Sequence, residues 1–597
     1  MTNQKISPIL TGALSLLLTA ATITTATSPP AYADGEPHAE GIRHVLLVSI
    51  DGMHAVDYLN CSHGIKSING GEPYCPNLAE LGETAVNYLD TSTSRPSDSF
   101  PGLTAIISGS SPRTAGAYYD VAYDRVLAPP TITTGNGVAG GTCTPGVPNG
   151  TRTEYEEGID KNQQFVNGID GISTANGDGG INSIDPMKLI RDPNNNCNPV
   201  YPWNFVRTNT IFGVAHAAGL YTAWADKHPA YASVSGPGNG KNVDDFYGPE
   251  INSNVVGLPG VTTVTGVDCS SVRDSLQTGA WTDSFQNIEC YDSLKVNAVL
   301  NQIEGFTHNR KSKAPTPAIF GMNFQTVSVG QKLIERDPVS KVVVATGGYL
   351  DSTGTPSAPL LDEIVFTDKA IGAWVAELKK RGLYDSTLII ITAKHGQSPI
   401  DSARYLGISN SPGDPVTTSP ATILDNAGCL PLSEAPSNPN GIGPTEDDVS
   451  LLWLNGSANC TTAAAVSMLR SMSPTANNVA GIGEIFSDRL LTTYFNKPGI
   501  PPNGDPRTPD IVVTPNIGVT YSGSTAKLAE HGGFSRDDTN VMLLVSHPSI
   551  ARKTITSPVE TMQVAPTVLK ALGLNPSALD GVRLEGTQAL PAVQFED

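Results

Sequence analysis

Four stretches of the chain are apolar without alternation: His44–Ile50, Ala318–Met322, Leu388–Thr392 and Asn540–Val545. Unbroken apolar, β-branched runs of this length predict strands buried on both faces, as in a parallel sheet. Helical spacing appears beside them. Pro101–Ser108 reads as a helix start, Leu360–Arg381 as a long amphipathic helix closed by Gly382, and Val559–Leu572 as a late helix closed by Gly573. Strands alternating with helices predict an α/β sandwich, with a mostly parallel central sheet and helices on both faces. From Tyr119 to about Pro202, and again from Leu406 to Asp447, the chain is loop-forming and weakly periodic. The pattern therefore predicts one α/β domain over residues 34–597, enlarged by loop-rich insertions at about 119–310 and 405–515.

Composition adjusts this picture in two ways. With 59 Gly and 46 Pro in 597 residues, a coiled coil or helical bundle is excluded, and 39% hydrophobic content supplies a large core. A formal net charge of −20 disfavours nucleic-acid polymers and anionic lipid surfaces. A small phosphate ester then needs a cation in its site.

The first residues read as a cleaved secretory signal over 1–33. Lys5 precedes an apolar run from Ile9 to about Thr22, and Ala31-Tyr32-Ala33 supplies the small residues of a cleavage site. The run is too short and too interrupted for a membrane span. No span is expected after cleavage, and the product is expected to be secreted, extracellular or periplasmic. Eight cysteines fit export. They fall into four sequence-local couples, and local disulfides are expected: Cys61–Cys75, Cys143–Cys197, Cys269–Cys290 and Cys429–Cys460.

Candidate chemistry lies at the carboxyl ends of the strands, where open α/β sheets place ligands. Asp51-Gly52 follows the first strand, and Ser99 stands just before Pro101 at a helix start. His395-Gly396 follows the Leu388–Thr392 strand, and His531-Gly532 precedes the last one. Taken alone, each is an ordinary turn, cap or buried histidine. Their order carries more.

Strand-Asp-Gly, Ser-Phe-Pro before a helix, strand-x-x-His-Gly and a later His-Gly resemble the alkaline phosphatase superfamily, nearest its type I phosphodiesterase/nucleotide pyrophosphatase branch. The tail with Glu585-Gly586-Thr587 and Leu590-Pro591 is similar to the end of that domain. The resemblance implies an alkaline-phosphatase-like fold and a metal-activated hydroxyl nucleophile, Ser99, that forms a covalent intermediate which water cleaves. It implies Asp51, Ser99 and His395 as ligands of one divalent ion and His531 as a ligand of a second. Zn²⁺ suits these donors, with Mn²⁺ an alternative.

Three positions depart from the family pattern. Lys394 stands where a carboxylate ligand is expected, Val327 and Gln331 replace an Asp-x-x-x-His pair, and Gly102 replaces an Asn. Either Lys394 substitutes for a metal's charge and holds phosphoryl oxygens, leaving one ion, or the protein binds without turnover. Asn323, Gln325 and Gln331 are candidate substrate contacts. So are Asp226 and His228, which an extended chain points to one side. The Arg that sulfatases carry after Ser-x-Pro-x is absent, as are a P-loop, a Gly-x-Ser-x-Gly elbow and a dinucleotide fingerprint. The expected function is a secreted, metal-dependent hydrolase of small phosphate esters, foremost phosphodiester or nucleotide pyrophosphate bonds. The alternatives are a catalytically weakened extracellular binding protein on the same fold and a phosphomonoesterase or phosphonate hydrolase.

Overall fold

The computed structural model describes residues 41–158, 183–272, 280–408, 418–438, 443–471, 481–522 and 526–593. The expected signal segment lies outside them. Eight strands form the central sheet: β1 His44–Ile50, β2 Ala85–Tyr88, β3 Ala223–Ala225, β4 Asp245–Tyr247, β5 Ile319–Phe324, β6 Thr387–Thr392, β7 Leu544–Ser546 and β8 Lys553–Ile555. Their order is β8-β2-β7-β6-β1-β5-β3-β4. All neighbours run parallel except β7, which is antiparallel to both β6 and β2.

The apolar runs behave as a doubly covered sheet requires. In β1, Val45 and Leu47 enter a core on one face, shared with α2 Ser99–Ser108 and α6 Val564–Ala571. Leu46, Val48 and Ile50 enter the opposite core, with α3 Phe285–Ile303 and α5 Ala358–Arg381. Neither face meets water, so the alternation that marks a half-exposed strand never appears. This is the α/β sandwich with a mostly parallel central sheet that the apolar runs predict.

Two predicted elements are shorter than their apolar runs. Of Asn540–Val545, only the end is strand, because Asn540 and Val541 make isolated bridges to Ser92 and His54 instead. The late helix begins at Val564. Val559–Glu560 pairs with Thr91–Ser92 and a 3-10 turn follows, so tertiary pairing overrides helical spacing there. The stretch expected as the second insertion holds more than loops. It builds a four-stranded antiparallel sheet from Thr445–Glu446, Ser450–Leu452, Ile482–Ser487 and Ile511–Pro515, with its own apolar core.

All four local cysteine couples are disulfides. They close loops of 14 to 54 residues, and on chain-entropy grounds each contributes about 3 kcal/mol or somewhat more. Among the described residues, no helix is long and apolar enough to cross a membrane.

Candidate active site

β1 ends at Ile50 and delivers Asp51 to the carboxyl edge of the sheet. The turn is locked to neighbouring strand ends: Asp51 N–H donates to Phe324 O and Gly52 N–H to His395 O, both at 3.1 Å. The buried Asp51 carboxylate accepts hydrogen bonds at Oδ2 from Gln325 Nε2 at 2.6 Å and Asn323 Nδ2 at 3.1 Å. Its Oδ1 is buried without a partner. Burial alone raises a carboxyl pKa, but Lys394, His395 and Lys227 outweigh it and hold Asp51 well below the usual range.

Ser99 opens α2. Its cap is Asp98, whose Oδ2 accepts from Phe100 N–H at 2.9 Å and Asp120 N–H at 3.1 Å. The helix packs directly on the end of β6. A Cβ at Gly102 would lie 2.2 Å from Lys394 O, so a side chain such as Asn has no room there. This close approach brings Ser99 Oγ to 3.0 Å from His395 Nε2. On the far side of the ring, His395 Nδ1 lies 2.9 Å from Gly396 O, a contact only an N–H can make. The proton therefore sits on Nδ1, and Nε2 presents its lone pair to Ser99. His395 stacks on His531, with ring centroids 3.9 Å apart. Burial, then His395 and nearby lysines, keep His531 neutral, with its pKa well below that of free histidine. Its Nδ1 is 3.9 Å from Asp98 Oδ1, beyond hydrogen-bonding reach, and neither atom has a partner.

The segment after β3 closes the site. Asp226 turns inward, where Oδ1 meets Lys394 Nζ at 2.8 Å and Oδ2 accepts from Trp224 Nε1 at 2.9 Å. Lys227 turns the other way. Its Nζ is 2.6 Å from Glu157 Oε1 and 3.5 Å from Ser99 Oγ. Burial opposes its charge, but Glu157, Asp51 and Asp120 prevail and raise its pKa. His228 packs edge-on against Tyr231, with centroids 4.8 Å apart. Burial, with Lys227 and Lys394 nearby, takes its pKa down to about 3 despite Glu157.

Asp98, Lys227 and Glu157 line a cavity of about 540 Å³ together with Tyr119, Asp120, Arg152, Glu156 and Asp447. Of the sequence candidates, Asp51, Ser99, His395, His531 and Gln325 line it; Asn323, Gln331, Asp226, His228 and Lys394 do not. Lys394 is fully buried, 3.8 Å over the face of Tyr231, and its ammonium is engaged by Asp226. It therefore cannot hold phosphoryl oxygens as the sequence reading expected. Asn323 instead orients Asp51, and Gln331 faces away into a separate polar cluster. The cation beside Ser99 is Lys227, which the sequence reading passed over. The alternation expected across Asp226, Lys227 and His228 is real, but the side facing the cavity belongs to Lys227.

The donor set fits one divalent ion. Asp51 Oδ1, His395 Nε2 and Ser99 Oγ are suitable donors, and the unpartnered buried oxygen of Asp51 is what such an ion would satisfy. The Asp-x-x-x-His pair expected to serve a second ion is missing. Val327 lies in the apolar core, and among the described residues no three His, Cys, Asp or Glu side chains gather as a metal centre.

A family model described as type I phosphodiesterase/nucleotide pyrophosphatase matches residues 45–151 and 346–535. Asp51, Ser99, His395 and His531 fall inside those ranges, and Lys227 falls between them. No curated protein matches the chain. Murine ectonucleotide pyrophosphatase/phosphodiesterase 5 aligns with a TM-score of 0.48 at 13% identity, covering 89% of this chain and 96% of its own. The human ectonucleotide pyrophosphatase/phosphodiesterase 5 gives 0.46 at 14%, covering 89% and 95%. The alkaline phosphatase PafA gives 0.49 at 13%, covering 91% and 97%. With strand, helix start and both His-Gly turns inside the matched ranges, the chain belongs to the type I phosphodiesterase/nucleotide pyrophosphatase family and is a phosphoester hydrolase.

Proposed function

We propose that this hydrolase cleaves phosphodiester or nucleotide pyrophosphate bonds of small substrates after export from the cell, with Ser99 as nucleophile. The observation that carries this reading is the placement of Ser99 Oγ in the cavity between His395 Nε2 at 3.0 Å and Lys227 Nζ at 3.5 Å. Four disulfides support export.

Asp51, His395 and Ser99 would hold one divalent ion, with Zn²⁺ the best match by donor type. When bound, it supplies Lewis-acid charge beside the hydroxyl. The chain's own residues do the rest. Asn323 and Gln325 hold Asp51 Oδ2, which fixes the direction of the carboxylate. The Nδ1–H contact to Gly396 O keeps the lone pair of His395 Nε2 on the Ser99 side. Lys227 places a fixed positive charge where non-bridging phosphoryl oxygens would lie, and Glu157 keeps that ammonium in place. Ser99 Oγ bonds to phosphorus as the bond to the leaving oxygen breaks, the hydroxyl proton ending on the departing group, and water then cleaves the serine ester and returns a proton to Ser99.

The test is hydrolysis of bis(p-nitrophenyl) phosphate by the purified chain, with metal analysis. Ser99→Ala is expected to lower kcat by about 10³-fold or more, and wild type to bind about one equivalent of divalent ion per chain. Equal rates for the two proteins would overturn the nucleophile assignment. Two tightly held ions, or none, would overturn the single-ion reading.

A further inference from the structure

Behind the cavity lies a buried polar cluster that the reaction above does not use. It comprises His54 and Asp57 at the start of α1 Ala55–His63, Gln331 in α4 Thr326–Lys332, Tyr349 before α5, and Gln397 after β6. None of the five lines the cavity. His54 Nδ1 is 2.9 Å from both Asp57 Oδ2 and Tyr349 Oη. On its opposite edge, Nε2 lies 3.0 Å from the main-chain N of Gln397. Gln331 Nε2 donates to Gly52 O and to Tyr349 Oη, both at 2.8 Å, and its Oε1 accepts from Gln397 Nε2 at 2.7 Å.

The cluster's connections single out two backbone segments. One is Gly52, adjacent to Asp51; the other is Gln397, two residues beyond His395. The segments also meet directly through Gly52 N–H and His395 O. There is no slack: Gly52 has φ +83°, and a Cβ on it would come within 2.3 Å of Gln331 Oε1. A buried histidine–carboxylate pair is weak evidence for stability, since apolar packing of equal volume does as well. It does define positions, because each donor and acceptor has one geometry that satisfies it.

The geometry points to His54 as a positioning residue: held by Asp57 and Tyr349, it sets the separation of the turns carrying Asp51 and His395, and through them the Ser99–His395 contact. This rests on the reading of Ser99 and His395 given above. Asp51 Oδ2 and His395 Nε2 are 3.7 Å apart, and a displacement of about 1 Å at such a site costs roughly 10²-fold in rate.

The experiment compares His54→Leu, His54→Asn and Tyr349→Phe with wild type on bis(p-nitrophenyl) phosphate, with thermal melts alongside. His54→Leu is expected to lose roughly 10²-fold in kcat with KM within about threefold. Asn, which keeps the helix cap and a polar edge, should recover about tenfold of that loss. Tyr349→Phe keeps the ring and should lose about fivefold in kcat at unchanged KM. A kcat for His54→Leu within about threefold of wild type, a loss confined to KM, or an Asn variant no better than Leu would overturn the proposal. If His54→Leu does not fold, Tyr349→Phe decides alone, and an unchanged kcat overturns it. Ser99→Ala in parallel separates the two readings: full activity there removes the reaction assignment, whatever His54 does.

Discussion

On the frame side of the cavity Asp51 is gripped by two amides, and Ser99 sits on an Asp98-capped helix start against His395. On the side of the expected insertions Asp120, Glu156, Glu157 and Asp447 share the cavity wall with the ammonium groups of Lys227, Lys332 and Lys527, and Glu157 holds Lys227. The frame's groups owe their positions to backbone already fixed by the sheet. The insertion's groups owe theirs to charge, and several are strained by it. Burial, then neighbouring carboxylates, push Glu156 up to about 8, while burial and Glu530 push Asp447 up to about 7. In this site backbone geometry dominates one wall and charge the other.

The sharpest way to break that division is to remove the insertion's cation. Lys227→Met should lower kcat/KM by about 10²- to 10³-fold and, because Glu157 loses its partner, also lower the melt. An unchanged kcat/KM would mean that the frame alone carries the chemistry. The second ammonium is the control. Lys394 is paired with Asp226 behind the site, so Lys394→Met leaves a buried carboxylate unpaired and should cost about 3–5 kcal/mol in denaturant unfolding. Adding Asp226→Asn should return most of that loss, and a double variant as unstable as the single one would contradict the pairing. Gly102→Ala tests the frame. Its Cβ would press on Lys394 O, so we expect about 1–3 kcal/mol of destabilisation and a fall in kcat as Ser99 moves from His395. Full activity with normal stability would show that α2 yields.

The smallest effect is a pH dependence. Below about pH 8 Glu156 is mostly neutral, and above it the group adds negative charge to the cavity wall. KM for an anionic diester should therefore rise severalfold between roughly pH 7 and 9, and Glu156→Gln should flatten the rise. Because its folded pKa is raised above the unfolded value, the same group favours the folded state at low pH. That contribution fades as pH climbs from about 4.5 through about 8.

Much of the frame was legible in the chain. The four apolar runs mark β1, β5, β6 and β7 because strands covered on both faces cannot alternate. Asp51, Ser99, His395 and His531 were legible because each follows a strand end, a helix start or a His-Gly turn at short range. Trouble began where the answer depended on partners far away. Lys394 stands beside His395 in sequence, yet Asp226, 168 positions away, draws it behind the site. β3 is only three residues long, too short to stand out as an apolar run. The sequence could still show Asp226 and Lys227 pointing to opposite sides. It could not show which side was the cavity.

By itself, then, the sequence determined the doubly covered sheet, the order of the reactive turns and the local disulfides, because these follow from spacing within a few residues or a few tens of residues. Only the tertiary structure decided which lysine meets Ser99, that Gly102 is a contact rather than a lost ligand, and that Gln331 serves a buried cluster. Such choices are settled by burial and long-range charge pairing: an ammonium is stable in the interior only beside its carboxylate, and the fold decides where that carboxylate lies.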